Sequence, residues 1–239
     1  MPRPADGVEP LTVAPIGTEL LDDPAADPVL AAESLGNLAR SNRWFGGAAA
    51  VRYGLHRALG PIGRGATLSL LDLGTGAGDL PDAARAWAER RGVRLVPMGI
   101  ERSRVAARLA HGAGIPCAVA DAGFPPLREK SVDVVLVSQV VHHLDAGSAV
   151  RLLRTCDRLA RRAVIVADLR RGRLGRVAFW VGARALGFDS VTVADGMTSI
   201  RRGYTATELR ALLEAAGVRG TVSRRPGYRL VAVWHPVGR

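Results

Sequence analysis

The chain has 239 residues, 48% of them hydrophobic and 23% charged, with only two cysteines, Cys117 and Cys156. This composition excludes a disordered or fibrous protein, and two cysteines are too few for a disulfide framework or a zinc cluster. The formal charge of +11 admits an anionic partner. It comes almost wholly from arginine, since Lys130 is the one lysine, and it is scattered as pairs such as Arg90/Arg91, Arg161/Arg162 and Arg201/Arg202. Such pairs near helix ends complement the helix dipole without any partner.

Residues 1–33 hold six of the fourteen prolines, and Arg3 stands there against seven carboxylates. They read as an extended or disordered arm. No apolar run approaches the ~20 residues of a membrane span. The first residues lack the basic-then-apolar pattern of a signal peptide, so a cytoplasmic location is expected.

A helical cap is expected over residues 34–64, with a helix over 48–59 ending at Gly60-Pro61. The pattern then changes. Apolar runs at 67–73, 94–100, 115–120, 132–138 and 163–168 read as strands, with helices over 79–91, 102–112 and 146–160 between them. Near-continuous apolar strands separated by helices predict a parallel sheet covered on both faces. Residues 173–186 have helical spacing and 188–203 read as irregular. Thr205 and Glu208, three apart, open another helix as a capping box. Runs at 218–223 and 228–234 around Pro226-Gly227 predict an antiparallel hairpin closing the sheet. The expected organisation is an arm (1–33), a helical cap (34–64) and one doubly wound α/β domain (65–239) with a lid insertion at about 171–204.

Three segments carry chemistry. In Leu71-Asp-Leu-Gly-Thr-Gly-Ala-Gly-Asp79, glycines 74, 76 and 78 lie between the first strand and the following helix. Missing side chains there let backbone N–H groups approach a ligand. The spacing Gly-x-Gly-x-Gly differs from the Gly-x-Gly-x-x-Gly of dinucleotide sites. The carboxylates of Asp72 and Asp79 beside it suit a cationic ligand better than a pyrophosphate. Glu101 ends the second strand, where a carboxylate can accept from two ribose hydroxyls. Asp121, after the third strand, can accept from an adenine amino group, with Phe124 flanking the ring.

These segments, in order with Asp133-Val-Val-Leu-Val-Ser-Gln-Val-Val-His-His-Leu144, resemble the class I S-adenosylmethionine-dependent methyltransferases over about residues 67–235. The likeness is greatest to bacterial enzymes that modify small secondary metabolites. It implies a Rossmann-like, seven-stranded, mostly parallel sheet whose last strand is antiparallel, and S-adenosyl-L-methionine as cofactor, released as S-adenosyl-L-homocysteine. By that resemblance Asp72, Gly74, Thr75, Gly76 and Gly78 line the methionine half. Glu101, with Arg102 beside it, belongs to the ribose, Asp121 and Ala122 to the adenine edge, and Ser138 lies beneath the sulfonium.

His142 and His143 follow the fourth strand, where the family places groups facing cofactor and substrate. An imidazole there can take a phenolic or enolic proton. His142 is the first choice, His143 the second, and Asp168 a further candidate. No metal is expected, because adjacent residues seldom converge on one ion.

The acceptor is expected to be a small aromatic or polyketide-like molecule, methylated on oxygen rather than carbon. It would be enclosed by Arg43, Trp44 and Phe45 of the cap and by Phe179, Trp180, Arg201 and Tyr204 of the lid. Position 138–141 reads Ser-Gln-Val-Val, unlike the Asn/Asp-Pro-Pro-aromatic of enzymes methylating base or amide nitrogens, so nucleic acid is not the expected partner. Two rivals stand beside this reading. One is an RNA methyltransferase using the basic surface; the other is a cofactor-binding domain that promotes a reaction other than methylation.

Overall fold

A computed structural model describes residues 19–23 and 25–236. The expected arm lies outside the described residues as far as residue 18. Its remainder is ordered otherwise than expected, since a 3-10 turn at Leu20–Asp22 is followed by helix α1, Pro28–Trp44. The start of α1 precedes the expected cap by several residues. Asp27 accepts from the backbone N–H groups of Val29 and Leu30, and Pro28 occupies the first helical position. There its fixed φ favours the helix and its missing N–H costs nothing, so this proline starts structure rather than preventing it.

Helix α2 (Gly47–Leu59) leads into strand β1 (Thr67–Leu73). Then follow α3 (Asp79–Glu89), β2 (Arg94–Glu101), α4 (Arg104–Gly112), β3 (Cys117–Val119) and β4 (Val132–Ser138). A 3-10 turn at Val141–His143 precedes α5 (Ala146–Leu159) and β5 (Ala160–Leu169). Ser103 caps α4 through Ala106 N–H, so that helix begins two residues later than its pattern suggested. The third strand is shorter than expected and lies at the sheet edge, beginning after Pro116, which has no N–H to donate.

The seven strands form one sheet in the order β3-β2-β1-β4-β5-β7-β6. The last two are β6 (Thr221–Arg225) and β7 (Arg229–Trp234); β7 runs antiparallel to both neighbours, and the pairs among β1 to β5 are parallel. Side chains along the central strands alternate between two cores. Leu71, Leu73, Val135, Val137, Val164 and Val166 face one; Leu68, Leu70, Val134, Leu136, Ala163 and Ile165 face the other. The first core is closed by α5 and by α8 (Ala206–Ala216), the second by α2 and α3. Central strands buried on both faces must be apolar on both, which is why these segments show no polar alternation.

Residues 188–203, expected to be irregular, instead contain helix α7 (Ser190–Arg202). Asp189 caps it through Thr192 N–H. Thr192, Val193, Gly196 and Thr198 weaken its intrinsic helix propensity, and packing supplies what propensity lacks. Val193 and Ile200 join Leu169, Phe179 and Phe188 in a third apolar cluster, against α6 (Arg173–Ala185). A methyl group added at Gly196 would overlap the Phe179 ring, so the two helices approach as closely as a bare Cα allows.

Candidate active site

In a doubly wound sheet, the loops beyond the carboxyl ends of the strands converge where the strand order reverses, here between β1 and β4. The loop after β1 carries Gly74, Gly76 and Gly78, all at positive φ (78°, 57° and 84°). Their roles differ. A Cβ at Gly74 would overlap Val140, and one at Gly78 would lie 3.0 Å from Ile115 and 3.3 Å from Ala110 Cα. At Gly76 the nearest atom, on Leu35, is 3.8 Å away, so this glycine is open toward the cavity.

The Glu101 carboxylate accepts from Gly76 N–H (3.0 Å) and Ser103 N–H (2.9 Å), tying the ends of β1 and β2 together. A cavity of ≈ 520 Å³ opens above them. Gly74, Thr75, Gly76, Glu101, Arg102, Asp121, Ala122 and Ser138 all line it.

Asp72 and Gly78 do not line this cavity. Asp72 is 1% exposed and lies behind Thr75, whose hydroxyl donates to its Oδ2 at 3.0 Å. Burial is the main cause pushing its carboxyl up to about 8, and Asp79 and Glu101 push in the same direction. Asp72 therefore acts on the loop from beneath. Of the two carboxylates flanking the loop, Asp79 lines the cavity, held by the Asn42 amide at 2.9 Å and raised by burial above its ordinary range.

A polar chain continues from there. Gln139 Nε2 donates to Asn42 Oδ1 (2.6 Å), and Arg229 Nη1 donates to Gln139 Oε1 (2.6 Å). Gln139 adopts a positive φ of 57°, which turns the chain sharply at the end of β4. Arg229 is buried on β7, and burial is the main cause lowering its guanidinium to about 10. Sequence reasoning missed Gln139 and Arg229. Their only signals were an amide after the fourth strand and an arginine inside an apolar run, and neither locates its partner.

A second, smaller cavity of ≈ 160 Å³ adjoins the first. Leu21, Leu38, Gln139 and His143 line both. Its walls are mainly apolar, from Phe45, Leu169, Ala178, Phe179, Ile200 and Tyr228, with His142, Glu19 and Asp195 as polar members. Of the residues expected to enclose an acceptor, Phe45 and Phe179 are here, in edge-to-face contact at 5.2 Å.

The other five are not. Arg43 and Arg201 are exposed, Trp44 is 66% exposed, and Trp180 lies on the outer face of α6 beneath the Arg184 guanidinium. Adjacent residues on a helix point about 100° apart, so Phe179 and Trp180 cannot share one face, nor can Arg201 and Arg202. Tyr204 is buried and does not touch the cavity. Its hydroxyl donates to Val141 O at 3.2 Å and anchors the turn bearing the histidines.

That turn sends the two histidine rings to different carboxylates. His142 Nδ1 lies 2.6 Å from Asp168 Oδ1, and both side chains are essentially removed from solvent. Burial would raise the Asp168 carboxyl, but the His142 ring and the Leu169 N–H overcome it and hold the group below its ordinary range. With Nδ1 facing the carboxylate, His142 Nε2 is left buried, on the cavity wall, with no hydrogen-bond partner among the described residues. His143 Nδ1 meets Asp22 Oδ1 at 2.9 Å, and Arg202 bridges Asp22 and Glu19.

This geometry can hold an extended, partly cationic ligand in the larger cavity and an apolar one beside it, with an imidazole nitrogen facing the second. Residues 71–167 match the family model described as "Methyltransferase domain". Similar solved structures share the fold. One is a SAM-dependent methyltransferase from Aquifex aeolicus (18% identity, 88% of this chain and 99% of that one, TM-score 0.57). Another is the O-methyltransferase of neocarzinostatin biosynthesis, solved with S-adenosyl-L-homocysteine and 1,4-dihydroxy-2-naphthoic acid (20% identity, 90% and 61%, TM-score 0.63). A third is mitomycin 7-O-methyltransferase (21% identity, 91% and 61%, TM-score 0.60). No curated protein matches the sequence.

The methyltransferase-domain match covers residues 71–167, and the fold as a whole is shared with solved S-adenosylmethionine-dependent methyltransferases. The residues present suit that cofactor: an open glycine backbone, a strand-end carboxylate, and Asp79 offering negative charge where a sulfonium-bearing amino acid would lie. No helix among the described residues is long and apolar enough to cross a membrane.

Proposed function

We propose that the chain methylates an oxygen of a small, largely apolar aromatic molecule, with His142 as general base and Asp168 as its positioning partner. One observation carries this reading: His142 Nε2 is buried and unpartnered, on the wall of an apolar cavity that meets the cofactor cavity at Gln139 and His143.

Bound S-adenosyl-L-methionine supplies the electrophilic methyl group. The protein's own work is to position and to desolvate. Gly76 and Glu101 orient the cofactor's polar groups, and Asp79 offers a counter-charge to its amino group. Phe45, Phe179, Leu169 and Tyr228 exclude water from a flat acceptor whose hydroxyl points at Nε2. Asp168 keeps the Nδ1–H tautomer, so the Nε2 lone pair is available to take the hydroxyl proton, and the resulting imidazolium faces a carboxylate 2.6 Å away. Holding acceptor and methyl in line contributes the larger share of the rate, as in other two-substrate transfers. Two of the solved structures that share the fold are O-methyltransferases by their names, one from neocarzinostatin biosynthesis and one acting on mitomycin, which supports oxygen as the methylated atom.

The test is transfer of a radiolabelled methyl group to a panel of naphthols and substituted phenols, with solvent-extractable product counted. Loss of turnover in His142→Ala with unchanged cofactor affinity is the expected result. Label appearing only in nuclease-sensitive precipitate would overturn the small-molecule reading.

A further inference from the structure

The Glu19 carboxylate, brought in by the segment before α1, lies against the two histidines. One ligand atom each from Glu19, His142 and His143 lie within 4.8 Å of one another. We propose that these three residues form a binding site for one divalent transition-metal ion of the zinc class, and that an ion there switches methyl transfer off. The second half rests on the reading of His142 as base.

Four features of the structure point to an ion. First, the two rings approach each other although their residues are adjacent in sequence. Their centroids are 4.1 Å apart with 37° between the planes.

Second, each ring meets a carboxylate through Nδ1, His142 that of Asp168 and His143 that of Asp22, with Arg202 Nη1 also 3.2 Å from His143 Nδ1. That is how metal-ligating histidines are commonly oriented, with Nε2 left for the ion. His142 Nε2 is that atom here, buried and without a partner, while His143 Nε2 faces Glu19 Oε2 at 4.0 Å.

Third, Glu19 is itself held. Oε1 accepts from Arg202 and Oε2 from Ser199, which leaves Oε2 lone-pair capacity toward the histidines. Fourth, the charges leave room for a dication. Glu19, Asp22, Asp168 and Asp195 surround the turn and outnumber the guanidiniums of Arg102, Arg202 and Arg229.

Two imidazoles and one carboxylate suit zinc, cobalt, nickel or copper, not magnesium or calcium, which prefer all-oxygen shells. Bonds of about 2.0–2.2 Å in a tetrahedral site require ligand atoms about 3.3 Å apart. The Glu19 and His143 atoms, 4.0 Å apart, must close by about 0.7 Å, and a pair at the 4.8 Å limit by about 1.5 Å, so an ion draws in side chains that hydrogen bonds otherwise hold. An ion bound at His142 Nε2 occupies the lone pair that would accept the acceptor's proton. No bond is made or broken in the protein. The imidazole coordinates in its neutral form and transfer stops.

The experiment uses the full chain stripped with a chelator. Equilibrium dialysis against zinc, with metal counted, is expected to give one ion per chain. Affinity should fall by about tenfold or more in E19Q and in H143A. Cobalt substituted for zinc should give a d–d absorption spectrum of low coordination number in the wild type and lose it in both variants. Melting curves of each variant check that it is folded. Saturable binding that persists unchanged in folded E19Q and H143A would overturn the site, as would no stoichiometric binding at all.

The switch is read separately, as the ratio of transfer rates with and without zinc. Transfer should fall along the same curve as occupancy, and full occupancy with undiminished or raised transfer would overturn it. The reading of His142 as base is tested by H142A under chelator, where no metal is present, so the two ideas fail in different measurements.

Discussion

His142 Nδ1 and Asp168 Oδ1 lie 2.6 Å apart, with side-chain exposures of 2% and 0%. Neither residue is close to the other in sequence. Register in the sheet joins them, because β4 and β5 are parallel neighbours with Ser138 opposite Ala167. The strand ends therefore deliver the histidine turn and the aspartate to one point. A buried carboxylate beside an imidazole fixes which ring nitrogen carries the proton, and that choice leaves Nε2 as the unpartnered nitrogen.

Replacing Asp168 with Asn should keep the shape and lose the tautomer preference, lowering kcat by about 10²–10⁴-fold, with cofactor affinity kept. Isothermal titration with S-adenosyl-L-homocysteine beside steady-state rates separates the two effects. Because the folded-state carboxyl is held below its ordinary 3.8, its contribution to stability is present above that pH and is lost as pH falls through the folded value. Chemical denaturation between pH 7 and 3 should therefore show a shallower acid loss in Asp168→Asn than in the wild type.

Asp72 gives the opposite sign. Its folded-state carboxyl is pushed up to about 8, so the native state holds a proton that the unfolded chain releases near 3.8. Its contribution is complete below about pH 4 and is lost as pH rises through about 8. Asp72→Asn should flatten that decline, gaining stability over the wild type near pH 8 while binding the cofactor normally. Denaturation midpoints at pH 5 and 8, with one affinity measurement, decide this. Weakened binding in a stable variant would show that Asp72 acts on the ligand directly.

Glu101 is tied to two backbone N–H groups and also lines the cofactor cavity. Glu101→Ala should weaken S-adenosyl-L-methionine by about 1–3 kcal/mol. Glu101→Gln should lose less, because an amide oxygen still serves one backbone donor. Affinity equal to wild type in Glu101→Ala would remove the residue from the cofactor site.

Phe179 and Trp180 are adjacent and should behave oppositely. Phe179→Ala opens the acceptor cavity and should raise the acceptor KM severalfold, with a core-truncation cost of about 3–5 kcal/mol at the upper end. Trp180→Ala removes an exposed ring stacked by Arg184 and should leave KM unchanged. Gly196→Ala forces a methyl into the Phe179 ring and should destabilise by about 1–3 kcal/mol through overpacking. Thermal melts and acceptor kinetics on the three variants check the set.

Local pattern determined the sheet and the cofactor loop. Apolar runs broken by glycine turns specify parallel strands, and Gly74, Gly76, Glu101 and Asp121 sit at strand ends, so the cavity they line was readable without knowing any long-range contact. Tertiary structure decided the rest, because it depends on helix phase and on partners distant in the chain. Trp44, Trp180, Arg43 and Arg201 carry the right chemistry for an acceptor site but fall on outward faces, a rotation that composition does not encode. Helix α7 forms despite weak propensity because Phe179 and Leu169 give Val193 and Ile200 something to pack against. Asp72, expected at the ligand, is buried under Thr75, and Arg229, Gln139 and Asn42 become one polar chain only when β7 inserts beside β5 and α1 lies across the sheet's end. The convergence of Glu19, His142 and His143 has the same origin: two neighbouring rings lie 4.1 Å apart after β4, and a segment more than a hundred residues away supplies the carboxylate.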